Sequence, residues 1–315
     1  MSKRKLKVAL IFGGTSRERE ISLQTARTIA RYLNPEKYKV VSIEIPKGVK
    51  RLFKENIDVA LLALHGPGGE DGTIQGMLEL LKLPYTCSGV LASALAMDKA
   101  RTKRLVVGAG VPVLPDLLIH KRDFTTRALT PLLHGIKRGG YSKVVIKPNR
   151  LGSSIGITIA SGSRAIANGI KEALKHDEEI LIEPYIQGRE ITVPVLGNND
   201  PVALPSVEIV PWRKSTFYDL KAKYEEGGSE HIIPAPLAKH EQIEVKNLAL
   251  LAHKSLGCRG VTRSDFIFTP EGKFYFLEIN TIPGMTPMSL VPQSAENAGI
   301  SFSKLLDELI KLAKY

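Results

Sequence analysis

Two acidic side chains and one amide near the carboxyl end of the chain have the types and spacing of a metal site. Asp265, Glu278 and Asn280 lie in RSDFIFTPEGKFYFLEIN, which contains two aromatic-rich runs. Side chains alternate between the faces of a strand, so Glu278 and Asn280 share a face. Such hard oxygens suit Mg²⁺, which leaves positions for water and phosphate. A solvated strand face is the alternative, but the clamp-like loop TIPGMTPMSL follows, which favours a metal–phosphate site.

The turn between the two runs decides whether Asp265 joins that face. The four residues from Thr269 to Gly272 read Thr-Pro-Glu-Gly, which is typical of a type I turn, so the two runs predict a β-hairpin. If Thr269 pairs with Gly272, Asp265 lies opposite Phe276 and shares the face of Glu278. A slip of one residue would send Asp265 to the other face.

A second candidate site lies in the middle of the chain, where Lys147 ends an apolar strand and the loop NRLGSSIG follows. The N–H groups and hydroxyls of such a loop can cradle phosphates, and the lysine adds a point charge. A Gly-Ser loop alone is more often an ordinary hairpin. Further on, Glu183 precedes Pro184 at a natural hinge, and Glu190 lies in the next strand.

The segment 211–236 is long, charged and rich in Gly and Pro. Loops of this length inside a compact domain are usually lids or disordered. Tyr218 and Tyr224 stand among lysines in this segment, which favours a lid that covers a ligand. A helix is predicted after it, followed by the hairpin and an amphipathic closing helix.

The elements that position these residues begin with about 85 residues in which strands and helices alternate. This βαβ succession predicts a parallel sheet. Gly13 and Gly14 form a strand-to-helix turn without the GxGxxG pattern. Glu18 stands at the start of the first helix, where a carboxylate is stabilised by the helix dipole in any case. His65 follows the carboxyl end of a strand, where ligands gather in open α/β sheets, although an ordinary loop histidine is an equal alternative.

Composition limits the protein class. The 315 residues suffice for two or three domains, and 43% hydrophobic with 24% charged residues is typical of a globular protein. No apolar run approaches the roughly 20 residues that span a bilayer. Cys87 and Cys258 are too few for a disulfide framework, so we expect a cytoplasmic protein without membrane attachment. The net charge of +12 comes from scattered basic residues, which fit a polyphosphate ligand as well as DNA.

Taken together, the motifs closely resemble the D-alanine–D-alanine ligase family of the ATP-grasp superfamily. The resemblance runs nearly end to end, and its specificity lies in six motifs in the right order. These are GGTSRERE, LHGPGGEDGT, MDKARTK, VIKPNRLGSSIG, the lid AKY, and TRSDF followed by LEINTIPGMTPMSLVP. Thr262 precedes Arg263 and Ser264 follows it, where the family more often carries Val or Ile at the second of these positions. The segment 120–142 matches no motif.

The resemblance implies an α/β fold in three parts. An N-terminal Rossmann-like domain with a parallel sheet, residues 1–88, binds substrate. A central ATP-grasp subdomain, residues 89–186, and a C-terminal catalytic one, residues 187–315, have mixed or antiparallel sheets and grip ATP between them. The lid is 211–236.

The resemblance also implies which residues hold ATP and its metal. The phosphates are held by Lys99, Lys147, Lys223, Ser153 and Asn280. Glu183 binds the adenine amino group, Glu190 the ribose hydroxyls, and the backbone at Tyr185 and Ile186 the purine edge. Two Mg²⁺ ions, for which Mn²⁺ could substitute, are held by Asp265, Glu278 and Asn280.

For the reaction, the resemblance implies that ATP phosphorylates one D-alanine and that a second D-alanine attacks the acylphosphate. The first substrate's ammonium is bound by Glu18 with His65 nearby. Arg263 and the N–H of Gly284 are the oxyanion donors, the kind of stabilisation that usually dominates such chemistry. Ser289 and Leu290 open a helix and receive the second carboxylate. Glu18, Ser153 and Tyr224 form a network between the lid and the substrate.

Three other functions stay open from the sequence. A D-alanine–D-lactate ligase or another ATP-grasp carboxylate–amine ligase is the nearest, but Tyr224 in AKY resembles the dipeptide-forming branch. A nucleic-acid-binding protein would explain the charge and not the acidic metal face. A Rossmann dehydrogenase would lack its GxGxxG fingerprint. The resemblance implies a homodimer that binds ATP and D-alanine, and no nucleic acid.

Overall fold

A computed structural model describes residues 4–125, 131, 134–135, 138, 140, 142–152, 154–211 and 229–314. The α-helices are α1 (Arg19–Tyr32), α2 (Thr73–Leu80), α3 (Val90–Met97), α4 (Lys99–Gly108), α5 (Ser163–Ala173), α6 (Lys239–Ser255), α7 (Leu290–Asn297) and α8 (Phe302–Lys311). The strands are β1 (Leu6–Gly13), β2 (Tyr38–Ile45), β3 (Val59–Leu62), β4 (Leu117–His120), β5 (Lys143–Pro148), β6 (Thr158–Ser161), β7 (Glu179–Pro184), β8 (Arg189–Leu196), β9 (Val202–Ala203), β10 (Val207–Pro211), β11 (Ser229–Ile232), β12 (Val261–Phe268) and β13 (Phe274–Asn280). Short 3₁₀ helices span Val49–Phe53 and Lys121–Asp123.

The N-terminal sheet has three parallel strands in the order β2-β1-β3, as the βαβ pattern predicts. Its central strand is apolar, and residues 8–11 are almost fully buried, because such a sheet is covered on both faces. The C-terminal helix α8 returns to this sheet, where Asp307 accepts a hydrogen bond from the Tyr38 hydroxyl at 2.8 Å. The two ends of the chain therefore share one core.

The middle of the chain forms a four-stranded antiparallel sheet in the order β4-β7-β5-β6. Helix α5 covers one face, and its apolar side chains Ile166 and Ile170 pack with Ile146 and Ile182 of the sheet. The other face borders the larger cleft described below. The loop between β5 and β6 is the predicted Gly-Ser loop.

The last part of the chain forms an antiparallel sheet with the strand order β11-β10-β8-β12-β13, and β9 pairs with β8. Helices α3, α4 and α6 share its core, in which Phe266, Phe274 and Phe276 meet edge to face. The predicted fold class is confirmed: a parallel N-terminal sheet precedes two antiparallel sheets. The division at residues 88 and 186 stays a prediction.

The metal hairpin β12–β13 forms as predicted, but its register differs. The N–H of Gly272 donates to the carbonyl of Thr269 at 3.0 Å, which closes the predicted turn. The N–H of Thr269 also donates to the carbonyl of Lys273, so the connection is one residue longer, and Phe268 pairs with Phe274.

A β-bulge then changes which residue Asp265 faces. Phe266 pairs with Phe276, but Asp265 pairs with Glu278, so Leu277 is the extra residue of the bulge. The prediction that Asp265 lies opposite Phe276 is therefore wrong. Without the bulge, the longer connection would put Asp265 on the face away from Glu278. The bulge restores the shared face that the metal site needs.

Two further sequence predictions concern segments that the structure describes only in part. Most of the predicted lid lies outside the described residues, as does part of the segment 120–142. Among the residues that are described, no helix is both long and apolar enough to cross a lipid bilayer.

Candidate functional site

The three predicted metal ligands lie together on the hairpin, and each already has a partner. Asp265 accepts hydrogen bonds from Arg263 at 2.9 and 2.8 Å. Glu278 pairs with Lys99 at 3.2 Å, and the amide oxygen of Asn280 accepts from the N–H of Ile282. The carboxylates are thus held by cations that a bound metal ion would have to displace.

This donor set fits a magnesium ion that shares its coordination with a ligand. Within the described ranges, no group of three or more His, Cys, Asp or Glu residues could hold a metal ion. Asp265, Glu278 and the amide oxygen of Asn280 supply two carboxylates and one neutral oxygen. Mg²⁺ is usually bound by one or two carboxylates and completes its octahedron with water and phosphate oxygens.

A larger cleft, with a volume of about 200 Å³, lies between the four-stranded sheet and the sheet that holds the hairpin. Aliphatic side chains from both sheets form its walls, among them Val145, Ile157, Ile159, Ile191, Ile209 and Ile267. Its polar lining includes the predicted residues Lys99, Lys147, Glu183, Glu190, Asp265 and Glu278. An apolar cleft with a few charged groups suits a nucleotide, and these six predicted ATP and metal residues line it.

Glu183 is the most buried charge of the larger cleft. Its side chain is 3% exposed and lies between Lys147, at 2.5 Å, and Lys103. Burial alone would raise the pKa of Glu183, but the two ammonium groups lower it below its ordinary value. Glu183 is therefore an anion that can only accept hydrogen bonds.

The hinge after β7 contributes backbone groups to the same cleft. Pro184, Tyr185 and Ile186 line it. The N–H of Tyr185 donates to the carbonyl of Lys143 at 2.9 Å, which ties the hinge to β5. Of the two predicted hinge residues, Ile186 is thus the better source of an N–H for a ligand.

Lys99 is placed by the end of a helix. Asp98 caps α4 by accepting from the N–H of Arg101 at 3.0 Å. The ammonium group of Lys99 donates to the carbonyl of Leu151 at 2.7 Å, and Leu151 belongs to the Gly-Ser loop. The N–H of Lys99 bonds the carbonyl of Asn149. Helix α4 and the loop are therefore held against each other at the phosphate side of the cleft.

A smaller cleft of about 40 Å³ adjoins the larger one. Lys99 and Glu278 line both clefts. The smaller cleft is also lined by Glu70, Gly152 and Thr281. A ligand atom near Lys99 and Glu278 would therefore face both spaces.

Glu18 lies where the N-terminal sheet meets the Gly-Ser loop. It is the residue before α1 rather than part of the first turn, and its side chain makes no capping bond. A Cβ on Gly66 would lie 2.5 Å from its carboxylate, and a Cβ on Gly152 would lie 3.8 Å from it. Gly66 also has a φ of +71°, so only glycine suits this position. Because Gly66 and Gly152 have no side chains, the two loops leave room for the Glu18 carboxylate between them.

His65 is buried beside Glu18's part of the site. Its side chain contacts the hydroxyl of Thr25 at 3.3 Å. Burial and, to a smaller extent, the charge of Arg263 lower the pKa of His65 to about 4, against the opposing effect of a hydrogen bond with the backbone of Ile282. His65 is thus neutral near pH 7 and can exchange hydrogen bonds without adding charge.

The residues predicted to receive the second substrate form the start of α7. Ser289 is the residue before the helix and Leu290 its first residue, as predicted. The Ser289 hydroxyl contacts the Thr286 hydroxyl at 2.9 Å. A Cβ on Gly284 would lie 3.0 Å from the same Ser289 oxygen, so the two predicted residues are neighbours. A helix start with a nearby backbone N–H suits an anion.

Some predicted residues cannot be placed. Ser153, Lys223 and Tyr224 lie outside the described residues, so the network of Glu18, Ser153 and Tyr224 stays a prediction. The neighbouring Gly152 approaches Glu18, as noted above.

Sequence reasoning missed several residues of this site. Glu70 and Lys103 lie inside the motifs LHGPGGEDGT and MDKARTK, so their motifs signalled them although their roles were not assigned. Glu70 is buried, and its carboxyl group borders the smaller cleft. Thr192, which donates to Asp265 at 2.5 Å, had no sequence signal because it lies on a different strand.

Comparison with known proteins gives the same picture along the whole chain. The family model described as D-ala D-ala ligase C-terminus matches residues 105–311. The model described as D-ala D-ala ligase N-terminus matches residues 7–54 and 48–88. Together they match most of the chain and leave residues 89–104 between them unmatched.

Full-length relatives are also similar. The D-alanine–D-alanine ligase of Pelotomaculum thermopropionicum is 45% identical over 309 residues, which cover 98% of this chain and 96% of the relative. The crystal structure of D-alanine–D-alanine ligase from Bacillus anthracis is 33% identical with a TM-score of 0.85, over 98% of this chain and 97% of that one. A crystal structure of D-alanine–D-alanine ligase from Bacillus anthracis complexed with ATP is 30% identical with a TM-score of 0.80, over 98% of this chain and 96% of that one.

Proposed function

The chain belongs to the D-alanine–D-alanine ligase family, and we propose that its two clefts bind ATP and two D-alanine molecules and join the amino acids into a dipeptide. The enzyme is an ATP-dependent ligase of peptidoglycan precursor synthesis. One observation carries the assignment of the clefts: Lys99 and Glu278 line both of them. The transferred phosphate must pass from a nucleotide in one space to a carboxylate in the other.

The reaction has two steps. A carboxylate oxygen of the first D-alanine attacks the γ-phosphorus of ATP, and the bond to ADP breaks. The amine of the second D-alanine then attacks the acyl carbon, the C–N bond forms, the amine loses a proton and phosphate leaves. Phosphoryl transfer needs mainly positioning and charge neutralisation, which the residues around Lys99 supply.

We place the purine of ATP between the aliphatic walls of the larger cleft. Glu183 would accept from the adenine amino group, Ile186 would offer its N–H to the purine edge, and Glu190 would accept from the ribose hydroxyls. These three roles are supported by the position of the residues, since all three line the cleft beside its apolar walls. An anionic Glu183 can serve as an acceptor for an amino group.

The phosphates would be met by Lys99 and Lys147, with Lys223 and Ser153 completing the set. In the ligand-free protein, Lys147 pairs with Glu183 and Lys99 with Glu278. A phosphate would compete for each ammonium group, so nucleotide binding exchanges one ion pair for another. Bound Mg²⁺, held by Asp265, Glu278 and Asn280, would neutralise phosphate charge; two ions and a tolerance for Mn²⁺ are part of the proposal.

The substrates would lie in and beside the smaller cleft. Glu18 would hold the first D-alanine's ammonium, with neutral His65 nearby. Arg263 and the N–H of Gly284 would face the oxyanion, and the helix start at Ser289 and Leu290 would receive the second carboxylate. A helix N-terminus has unpaired N–H groups and a favourable dipole for an anion. The family also leads us to propose a cytoplasmic homodimer.

A phosphate-release assay tests this function. The protein, ATP and Mg²⁺ are mixed with D-alanine, L-alanine, D-alanine plus D-lactate, or no acceptor. We expect rapid release only where D-alanine is present, with a dipeptide as the product detected by mass spectrometry. Release that is independent of D-alanine, or a depsipeptide as the main product of the D-lactate mixture, would contradict the proposal.

A further inference from the structure

Lys103 on helix α4 is a buried charge to which the proposed reaction gives no role. Its side chain is 0% exposed. Its ammonium group pairs with Glu183 and, at 3.2 Å, with Asp116. Asp116 also pairs with Arg104, whose side chain reaches solvent. A buried lysine is costly unless it is paired, so this arrangement holds a cation behind Glu183.

Glu183 has a cation on each side, and the two differ in accessibility. Lys147 contacts the Oε2 atom of Glu183 at 2.5 Å, and both residues line the larger cleft. Lys103 contacts the Oε1 atom and is not among the described residues that line the cleft. A nucleotide phosphate can therefore draw Lys147 away, whereas Lys103 stays with Glu183.

This difference decides what Glu183 offers to a ligand. When Lys147 moves to a phosphate, the Oε2 atom is released toward the cleft, and Lys103 still holds the Oε1 atom. Burial would raise the pKa of Glu183, which the lysines counteract. A carboxylate that keeps its charge accepts hydrogen bonds and donates none, whereas a protonated one could do both.

We propose that Lys103 determines the purine specificity of the nucleotide site, because it keeps Glu183 a pure hydrogen-bond acceptor that takes the amino group of adenine and repels the carbonyl oxygen of guanine. The inference rests on the proposed function, in which Glu183 faces the purine edge. Lys103 is a positioning residue, since it acts only through Glu183.

The test is the variant Lys103→Met, which fills a similar volume without a charge. Phosphate release at saturating D-alanine gives kcat and KM for ATP and for GTP. We expect the ratio of kcat/KM for ATP to that for GTP to fall about tenfold or more, since one hydrogen bond to a charged group is affected. Most of the change should be a higher KM for ATP.

A pH profile gives a reading that a structural role would not move. Without Lys103, Glu183 is protonated at a higher pH once Lys147 leaves. The KM of the variant for ATP should therefore fall as pH rises from 6 to 9, and the KM of the parent protein should change less over the same range.

Asp116→Asn is the matched control. It breaks the same buried cluster and leaves the pair of Lys103 with Glu183 intact. We expect it to lower the melting temperature and to keep the parental ATP to GTP ratio. If Lys103→Met does not fold, the double variant Lys103→Met/Asp116→Asn is assayed in its place. The double variant removes one charge of each sign and so leaves the net charge of the buried cluster unchanged.

Two results would overturn the inference. One is a Lys103→Met or double variant that keeps the parental ATP to GTP ratio and pH profile. The other is a parent protein that uses GTP as well as ATP. Neither is the failure of the proposed function itself, which would appear as a parent protein without D-alanine-dependent phosphate release from ATP.

Discussion

The two adjoining clefts share the ion pair of Lys99 with Glu278 but differ in their other buried polar groups. In the larger cleft, charges face opposite charges: Glu183 lies between Lys103 and Lys147, and Asp265 accepts from Arg263. In the smaller cleft, the Oε1 atom of Glu70 is buried and has no hydrogen-bond partner among the described residues. Each paired charge has a partner in the protein that a ligand would replace. The Oε1 atom of Glu70 would instead gain a hydrogen-bond partner from a ligand.

The electrostatics of Glu70 follow from this position. Its other oxygen accepts from the N–H of Gly66 at 2.8 Å. Burial, together with the charges of Glu18 and Glu278, raises the pKa of Glu70 to about 8, against the opposing influence of Gly66 and Arg263. The Thr281 hydroxyl, in the same cleft, is likewise buried without a partner in the described part of the chain.

This difference determines which kind of ligand each cleft can bind. An ion pair that lines a cleft is exchanged, so the ligand must bring a charge of the same sign as the partner that it displaces. A buried oxygen without a partner carries a desolvation cost, so the ligand gains by donating a hydrogen bond to it. A polyphosphate suits the first condition, and an ammonium group suits the second.

Arg263→Ala is expected to have the largest effect, because Arg263 is one of the two proposed oxyanion donors. Because Arg263 is proposed to donate to the oxyanion, its removal should reduce turnover about 10²–10³-fold. Asp265 keeps the hydrogen bond from Thr192, so the folded state should survive. Arg263→Lys retains a cation but not the planar fork, and we expect it to recover the melting temperature and not the turnover.

The measurements are D-alanine-dependent phosphate release and thermal melting in the presence of Mg²⁺. Arg263→Ala protein that melts far below the parent, yet turns over normally while folded, would leave Arg263 as the structural partner of Asp265 alone.

Glu278→Gln tests the residue that lines both clefts. A neutral amide binds a divalent cation less well, so we expect the apparent affinity for Mg²⁺ to fall about 10–100-fold or more. Phosphate release across a Mg²⁺ titration measures it. Glu308→Gln makes the same chemical change on exposed helix α8 and should leave the titration curve unaltered. Coinciding curves for Glu278→Gln and the parent would remove Glu278 from the metal site.

Glu70→Gln tests the difference between the clefts at the buried carboxyl group of the smaller cleft. The carboxyl group has a pKa of about 8 in the folded protein against an ordinary 4.5. Because the folded state holds this proton more tightly, its contribution to stability is full below pH 4.5 and is lost as pH rises through 8. The glutamine has no such proton. The variant should therefore gain stability relative to the parent by up to about 1.4 kcal/mol per pH unit within that window.

Urea unfolding of both proteins without ligands, from pH 5 to 9, measures this difference. A constant gap between the two free energies of unfolding across the range would show that Glu70 titrates in its ordinary range.

The smallest expected effect compares one threonine in each cleft. Thr281→Val removes a buried hydroxyl that has no partner in the described part, so it should stabilise the ligand-free protein or leave it unchanged within about 1 kcal/mol. Thr192→Val removes a hydroxyl that donates to Asp265, so it should destabilise by about 1–3 kcal/mol. Urea unfolding near pH 7 measures both. Equal losses in the two variants would mean that the two clefts do not differ in this way.

The sequence alone predicted much of the fold because its signals are local. Period-two alternation put Glu278 and Asn280 on one face of a strand, and the alternation of strands and helices at the start of the chain predicted the parallel sheet. The helix start at Ser289 and the turn that ends at Gly272 were also correct. Each of these depends on residues within a few positions of one another, where backbone geometry decides the outcome.

Only the tertiary structure decided how these pieces meet. The local turn gave no sign of the bulge at Leu277, which depends on how β13 packs and which brings Asp265 to the face of Glu278. Lys103 and Glu183 are 80 positions apart, and nothing in either segment reveals that they form a pair. The sequence determined which charged groups the protein has, and long-range packing determined which of them are paired in advance and which wait for a ligand. The reason is that the desolvation of a charge depends on everything around it, and the neighbours in sequence are only a small part of those surroundings.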